Sequence, residues 1–154
     1  KKRMKPEENL KKFSINLPNA PDPVGGYVSS KIVGDFIYIS GQVSFNSDGK
    51  LIKGKVGKEL NLEQGQEAAK FCALNILAQL KKKCGSLDKV KGCVKLTGYV
   101  NSTDSFEDQP KIINGASDLI SNIFGDQGKH ARAAISVNSL PLGAAVEVDG
   151  IFEL

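Results

Sequence analysis

The 154-residue chain reads as an α+β domain, a mixed β-sheet with two helices packed on one face. Two observations predict this. Segments of strand character cluster at both ends, with one helix–strand–helix run between them, in the order β-β-α-β-α-β-β. Each of the two long helical segments carries a single apolar stripe and so has one face to bury.

The elements follow in chain order. Pro6 to Lys12 predicts a short helix, because Pro6 suits a first turn and Glu7 and Glu8 favour the positive end of the helix dipole. Residues 1–16 are read as a basic N-terminal extension carrying this helix, and 17–154 as one domain. The run Leu17-Pro18-Asn19-Ala20-Pro21-Asp22-Pro23 is extended, since each proline drives its predecessor out of the α region. Tyr27–Val33 and Phe36–Val43 read as strands joined at Gly34-Asp35, and Asn46-Ser47-Asp48-Gly49 as a turn. A long helix then opens at Asn61, an N-cap with Gln64 three residues on. Its stripe is Ala68, Cys72, Ile76, Leu80 and Cys84, flanked by Ala69, Ala73 and Leu77, and Gly85 stops it. Val90–Val100 is a strand. A second helix runs from about Pro110 to Phe124 on Ile112, Ile113, Ala116, Leu119, Ile120 and Ile123. Ala131–Asn138 and Ala145–Phe152 are the last two strands, taken to be neighbours.

Composition narrows the function. Hydrophobic residues at 40% and charged residues at 25% describe an ordinary globular chain. No apolar stretch approaches the ~20 residues that span a bilayer, and no apolar segment follows the basic N-terminus as in a signal peptide. Three cysteines and one histidine match no zinc or disulfide pattern, so no metal or cofactor is expected and a reducing, cytoplasmic compartment is. The net charge of +4 belongs to residues 1–12, which hold six basic and two acidic residues. The remainder balances at 15 against 15, which argues against a nucleic-acid partner.

Two residues stand out. Arg132 is the only arginine beyond Arg3, and it alternates with small residues in a strand. Its planar fork suits a carboxylate or phosphate; the alternative is a structural ion pair with Glu147 or another acid. Glu147 lies between valines, where burial raises a carboxyl pKa and fits it for acid–base work; the alternative is a salt bridge or a solvent-facing position. His130 shares the strand parity of Arg132 and reads as a surface or cap residue. Lys81-Lys82-Lys83 complements a helix C-terminus, and the cysteines read as core.

The motifs resemble those of the YjgF/RidA family, also called the endoribonuclease L-PSP family. Ala20-Pro21-Asp22-Pro23-Val24-Gly25-Gly26-Tyr27-Val28 is similar to the family's opening segment, and Ile39-Ser40-Gly41-Gln42-Val43 to its Ser-Gly-Gln motif. Asn114 falls where the family has an asparagine early in its second helix. Ala131-Arg132-Ala133-Ala134 followed by Leu140-Pro141 resembles its arginine signature, and Val146-Glu147-Val148-Asp149 its closing strand. All five occur in the family's order, from about Ala20 to the C-terminus.

The resemblance implies a chorismate-mutase-like fold and a homotrimer in which uncovered sheet faces meet and clefts lie between subunits. It implies hydrolysis of reactive 2-imino and 2-enamino acids to 2-keto acids and ammonia, without metal or cofactor. Arg132 would hold the substrate carboxylate and Glu147 would orient or activate the water. Tyr27, Ser40, Gly41, Asn114 and the Ala134 backbone would line the cleft. The length and the material around Phe106–Gly128 resemble a longer branch of roughly 150 residues, and Ala134 stands where RidA proteins often carry cysteine. The alternatives are a non-catalytic carboxylate-binding sensor and an endoribonuclease; the balanced body and sparse aromatics, 6%, count against the latter.

Overall fold

The structure, a computed structural model, describes residues 4–154. Five strands form one sheet, β1 (Ser30–Val33), β2 (Phe36–Val43), β3 (Gly92–Asn101), β4 (Ala131–Val137) and β5 (Val146–Glu153). Their spatial order is β1-β2-β5-β3-β4. All pairings are antiparallel except β3 with β4, which are parallel. Three helices accompany the sheet: α1 (Pro6–Lys12), α2 (Leu62–Cys84) and α3 (Gln109–Phe124). The predicted α+β class and element order hold.

Sequence rules account for the helices. Asn61 and Gln64 form a reciprocal capping box at the start of α2, with both bonds at 2.9 Å, satisfying two N–H groups that the helix leaves open. The stripe from Ala68 to Leu80 is buried, and Cys84 is half-buried at the end. Asn75 and Gln79 are buried as well. Their amides donate to the carbonyls of Phe45 and Pro21, so the loop after β2 and the proline-rich lead-in cover the outer side of α2. In α3 every expected stripe residue is buried. The two helices touch where Gly115 meets the backbone of α2. A β-carbon there would collide with the carbonyl of Gln66, so only glycine permits this approach.

Both long helices pack on the same face of the sheet. Along β5, Val146, Val148 and Phe152 point into the core, and Glu147, Asp149 and Ile151 point the other way. α1 joins the same core: Leu10 is 6% exposed, and the Asn9 amide donates to the Ile123 carbonyl at 2.8 Å. No buried side-chain nitrogen or oxygen among the described residues lacks a partner.

Two expectations need correction. The first strand begins at Ser30, not Tyr27. The chain bends at Gly25 and Gly26, and Tyr27–Ser29 approach β2 only through the Ser29 carbonyl and the Val28 carbonyl, both bonded to Ser40. The last two strands are not neighbours either. β3 lies between them, because α3 is a crossover that returns β4 parallel to β3, while β5 runs back antiparallel between β3 and β2.

Candidate functional site

The first cluster forms around β2 and β5 on the uncovered side. The ladder shifts register between Ile39 and Gln42, so Ser40 and Gly41 oppose a single residue of β5. Glu147 occupies the space this bulge opens. A β-carbon on Gly41 would fall on the Glu147 carboxylate. Ser40 is fixed by its hydroxyl, which donates to the Val28 carbonyl at 2.6 Å.

Tyr27, Ser40, Gly41 and Glu147 thus line one concavity of about 1040 Å³, together with Asp149 and Leu142. Tyr27 and Leu142 are exposed at 53% and 68%, so the apolar rim is wet in the single chain. Burial pushes the Glu147 carboxyl above its ordinary value, and the neighbouring Asp149 charge adds to this. Burial also raises Asp149, partly offset by the Tyr99 hydroxyl, which donates to its Oδ2 at 3.0 Å.

The second cluster lies at the other edge of the sheet. Arg132 stands on the edge strand β4, paired in register with Leu96, and so faces α3. Its Nη1 donates to Asn114 Oδ1 at 2.7 Å and to Ser117 Oγ at 3.2 Å. Ala134 follows on the same face, opposite Gly98. Asn114 and Ser117 are one helical turn apart on α3, which is why both reach the same guanidinium.

Arg132 and Glu147 therefore do not meet within one chain. Arg132 is on the helix-covered face, while Glu147 pairs with Tyr99 on the open face, two strands away. This excludes the ion pair considered between them. The seven expected residues fall into two groups: Tyr27, Ser40 and Gly41 gather at Glu147, and Asn114 and Ala134 at Arg132.

Sequence reasoning missed Ser117, and it read His130 as a surface or cap residue without its link to Ser117. The imidazole is half-buried, with Nε2 2.9 Å from Ser117 Oγ and Nδ1 2.6 Å from the Gly128 carbonyl. The available signals were the shared parity of His130 and Arg132 and the three-residue spacing of Asn114 and Ser117.

Among the described residues no cluster of three or more His, Cys, Asp or Glu could hold a metal ion, and no helix is long and apolar enough to cross a membrane. Cys72 and Cys93 are buried, and burial raises both thiols, Cys93 to about 12.

Fold and clusters together define a class: a five-stranded α+β domain with helices on one face, an open opposite face, and two separate polar clusters, one around a carboxylate and one around an arginine. The family described as "YjgF/chorismate mutase-like, putative endoribonuclease" matches residues 7–154, and the chain belongs to it. Protein TCP17 of Trypanosoma cruzi is 46% identical over 147 residues, covering 95% of this chain and 92% of that protein. The crystal structure of Atu1372 from Agrobacterium tumefaciens, of unknown function, superposes with a TM-score of 0.87 at 42% identity, covering 97% of this chain and 92% of that one. The 2-iminobutanoate/2-iminopropanoate deaminase of Rattus norvegicus is 29% identical over 140 residues, covering 89% of this chain and 86% of that enzyme.

Proposed function

We propose that this chain is a homotrimeric deaminase, hydrolysing 2-imino and 2-enamino acids to 2-keto acids and ammonia in clefts between subunits. The observation that carries the reading is the division of the site. The carboxylate half and the arginine half lie on opposite faces of one sheet, so a cleft that uses both takes one half from a neighbouring copy. The open face supports this reading: Phe36, Tyr38 and Ile135 are 41%, 46% and 46% exposed there, apolar surface that a neighbouring copy would cover.

The chemistry follows from the groups present. Arg132 holds the substrate carboxylate through its fork, with Asn114 fixing the guanidinium from behind. The imine carbon, next to that carboxylate, is already electrophilic. Glu147 takes a proton from water as the oxygen adds to this carbon. It passes that proton to nitrogen to give the carbinolamine, then takes the proton of the new hydroxyl and delivers it to nitrogen as the carbonyl forms and the carbon–nitrogen bond breaks, leaving a 2-keto acid and ammonia. A carboxyl raised by burial is a better base than an exposed one, and positioning supplies much of the remaining acceleration.

The endoribonuclease reading has less support. The charged residues lining the concavity are Asp22, Lys31, Glu147 and Asp149, three acids to one base, which repels a phosphate backbone.

The test generates an imine in situ with an amino-acid oxidase and follows keto-acid formation. Acceleration by the wild type and none by Arg132→Ala is expected, with both proteins sedimenting as trimers. No acceleration over several amino acids, from a verified trimer, would overturn the deaminase reading in favour of a carboxylate-binding module.

A further inference from the structure

While His130 is neutral, the four hydrogen bonds that link it to Arg132 and Asn114 have only one consistent direction. A carbonyl can only accept, so the Gly128 oxygen 2.6 Å from Nδ1 requires a proton on Nδ1. In the neutral imidazole Nε2 is then the acceptor, and the Ser117 hydroxyl must donate to it. The Ser117 lone pairs are left facing Arg132 Nη1, which donates at 3.2 Å while also donating to Asn114. The chain runs from Arg132 to Ser117 to His130 to the Gly128 carbonyl, and each polar group in it has one role.

We propose that Ser117 and His130 are positioning residues for Arg132, holding its guanidinium in the orientation that receives a carboxylate and making that affinity depend on the charge of His130. The inference rests on the reading of Arg132 as the substrate-carboxylate anchor. In this role both residues act through the arginine and not on the substrate, since the Ser117 oxygen accepts from Arg132 Nη1.

The electrostatics fix the sign. His130 meets Ser117 from α3 and the Gly128 carbonyl from the turn before β4, and the charge that acts on it is that of Arg132, on the strand that His130 precedes. Burial, chiefly, and the Arg132 charge hold the imidazole below its ordinary value, with the Gly128 bond opposing. A carboxylate bound at Arg132 offsets that charge and raises His130. By reciprocity, protonating His130 tightens the carboxylate. Affinity therefore increases as pH falls through the His130 titration.

His130 is the only histidine in the chain, which makes it its own reporter. The experiment titrates the trimer, with ¹³C-labelled histidine, by NMR with and without pyruvate as a stable 2-keto acid, and measures kcat and KM against pH. Pyruvate is expected to raise the histidine pKa. Ser117→Ala is expected to raise KM about tenfold with kcat within about twofold, the effect of one orienting hydrogen bond. His130→Gln, which offers an acceptor in place of Nε2, is expected to keep most of the affinity but lose the pH step, while His130→Ala loses both.

If Arg132→Ala abolishes pyruvate binding but pyruvate leaves the histidine titration unmoved and Ser117→Ala leaves KM unchanged, the positioning role is overturned and the anchor reading stands. If Arg132→Ala leaves binding and turnover intact, both are overturned.

Discussion

The carboxylate of Glu147 rests over the α-carbon of Gly41, in the space a β-carbon would fill. The two residues reach this arrangement because the bulge at Ser40 and Gly41 gives β2 one residue more than β5 opposite it. Glycine here makes room for a functional group rather than for a turn.

Gly41→Ala is consequently a catalytic variant rather than a folding one. The methyl group displaces the carboxylate by about the size of an atom, enough to lower kcat roughly 100-fold. The Arg132 anchor keeps its hydrogen bonds to Asn114 and Ser117, so pyruvate affinity should fall much less than turnover. Turnover kinetics on an in situ imine, paired with pyruvate titration, checks both halves. Equal losses in binding and turnover would show that the bulge supports the whole cleft.

Asp149 contributes to the raised Glu147 carboxyl, after burial, and is raised itself. Asp149→Asn removes that charge. Glu147 should then titrate lower, and the acid limb of the kcat/KM profile should move to lower pH. Stability carries the same sign. A carboxyl whose folded pKa is raised is most favourable to folding when protonated, below its unfolded value of about 4. That contribution is lost as pH rises through the folded value. Wild type should therefore lose more thermal stability than Asp149→Asn on going from about pH 4 to about pH 7. Paired melting curves at those two values decide it.

α1 looks like an appendage in a sequence whose net charge sits in residues 1–12, yet Leu10 enters the core beside α3. Leu10→Ala should cost about 2 kcal/mol, the lower end for a buried leucine, because the site borders the surface. Denaturant unfolding would show it. A shift near zero would mean that α1 detaches in solution and that the rest of the fold stands without it.

What the sequence made legible was whatever rests on local periodicity. The stripes and caps of α2 and α3 define those helices almost to the residue, and alternation gives Val146 and Glu147 their opposite faces. Strand adjacency was not legible. Alternation assigns a face but not a neighbour, so Arg132 and Glu147 looked like facing residues on paired strands, when β3 separates them. Gly41 and Glu147 were each identifiable from family motifs, but their contact is a product of the bulge. Ser117 carried no motif at all. Its spacing from Asn114 gains meaning once α3 is laid beside β4 and its hydroxyl meets His130.

The divided site makes one further prediction that a site held within one chain would not. Arg132→Ala and Glu147→Gln should each be inactive alone. Unfolded together in equal amounts and reassembled, they form trimers in which some clefts take Glu147 from one variant and Arg132 from the other. Random assembly makes both choices correct at one cleft in four, so the mixture should recover about a quarter of wild-type activity. Mixing the intact trimers without unfolding should recover none until subunits exchange. The double variant Arg132→Ala/Glu147→Gln mixed with wild type provides the control, because it can only dilute activity. No recovery from the reassembled mixture, with wild type refolded in parallel regaining its own, would place both residues in one subunit's cleft and contradict the strand order that separates them.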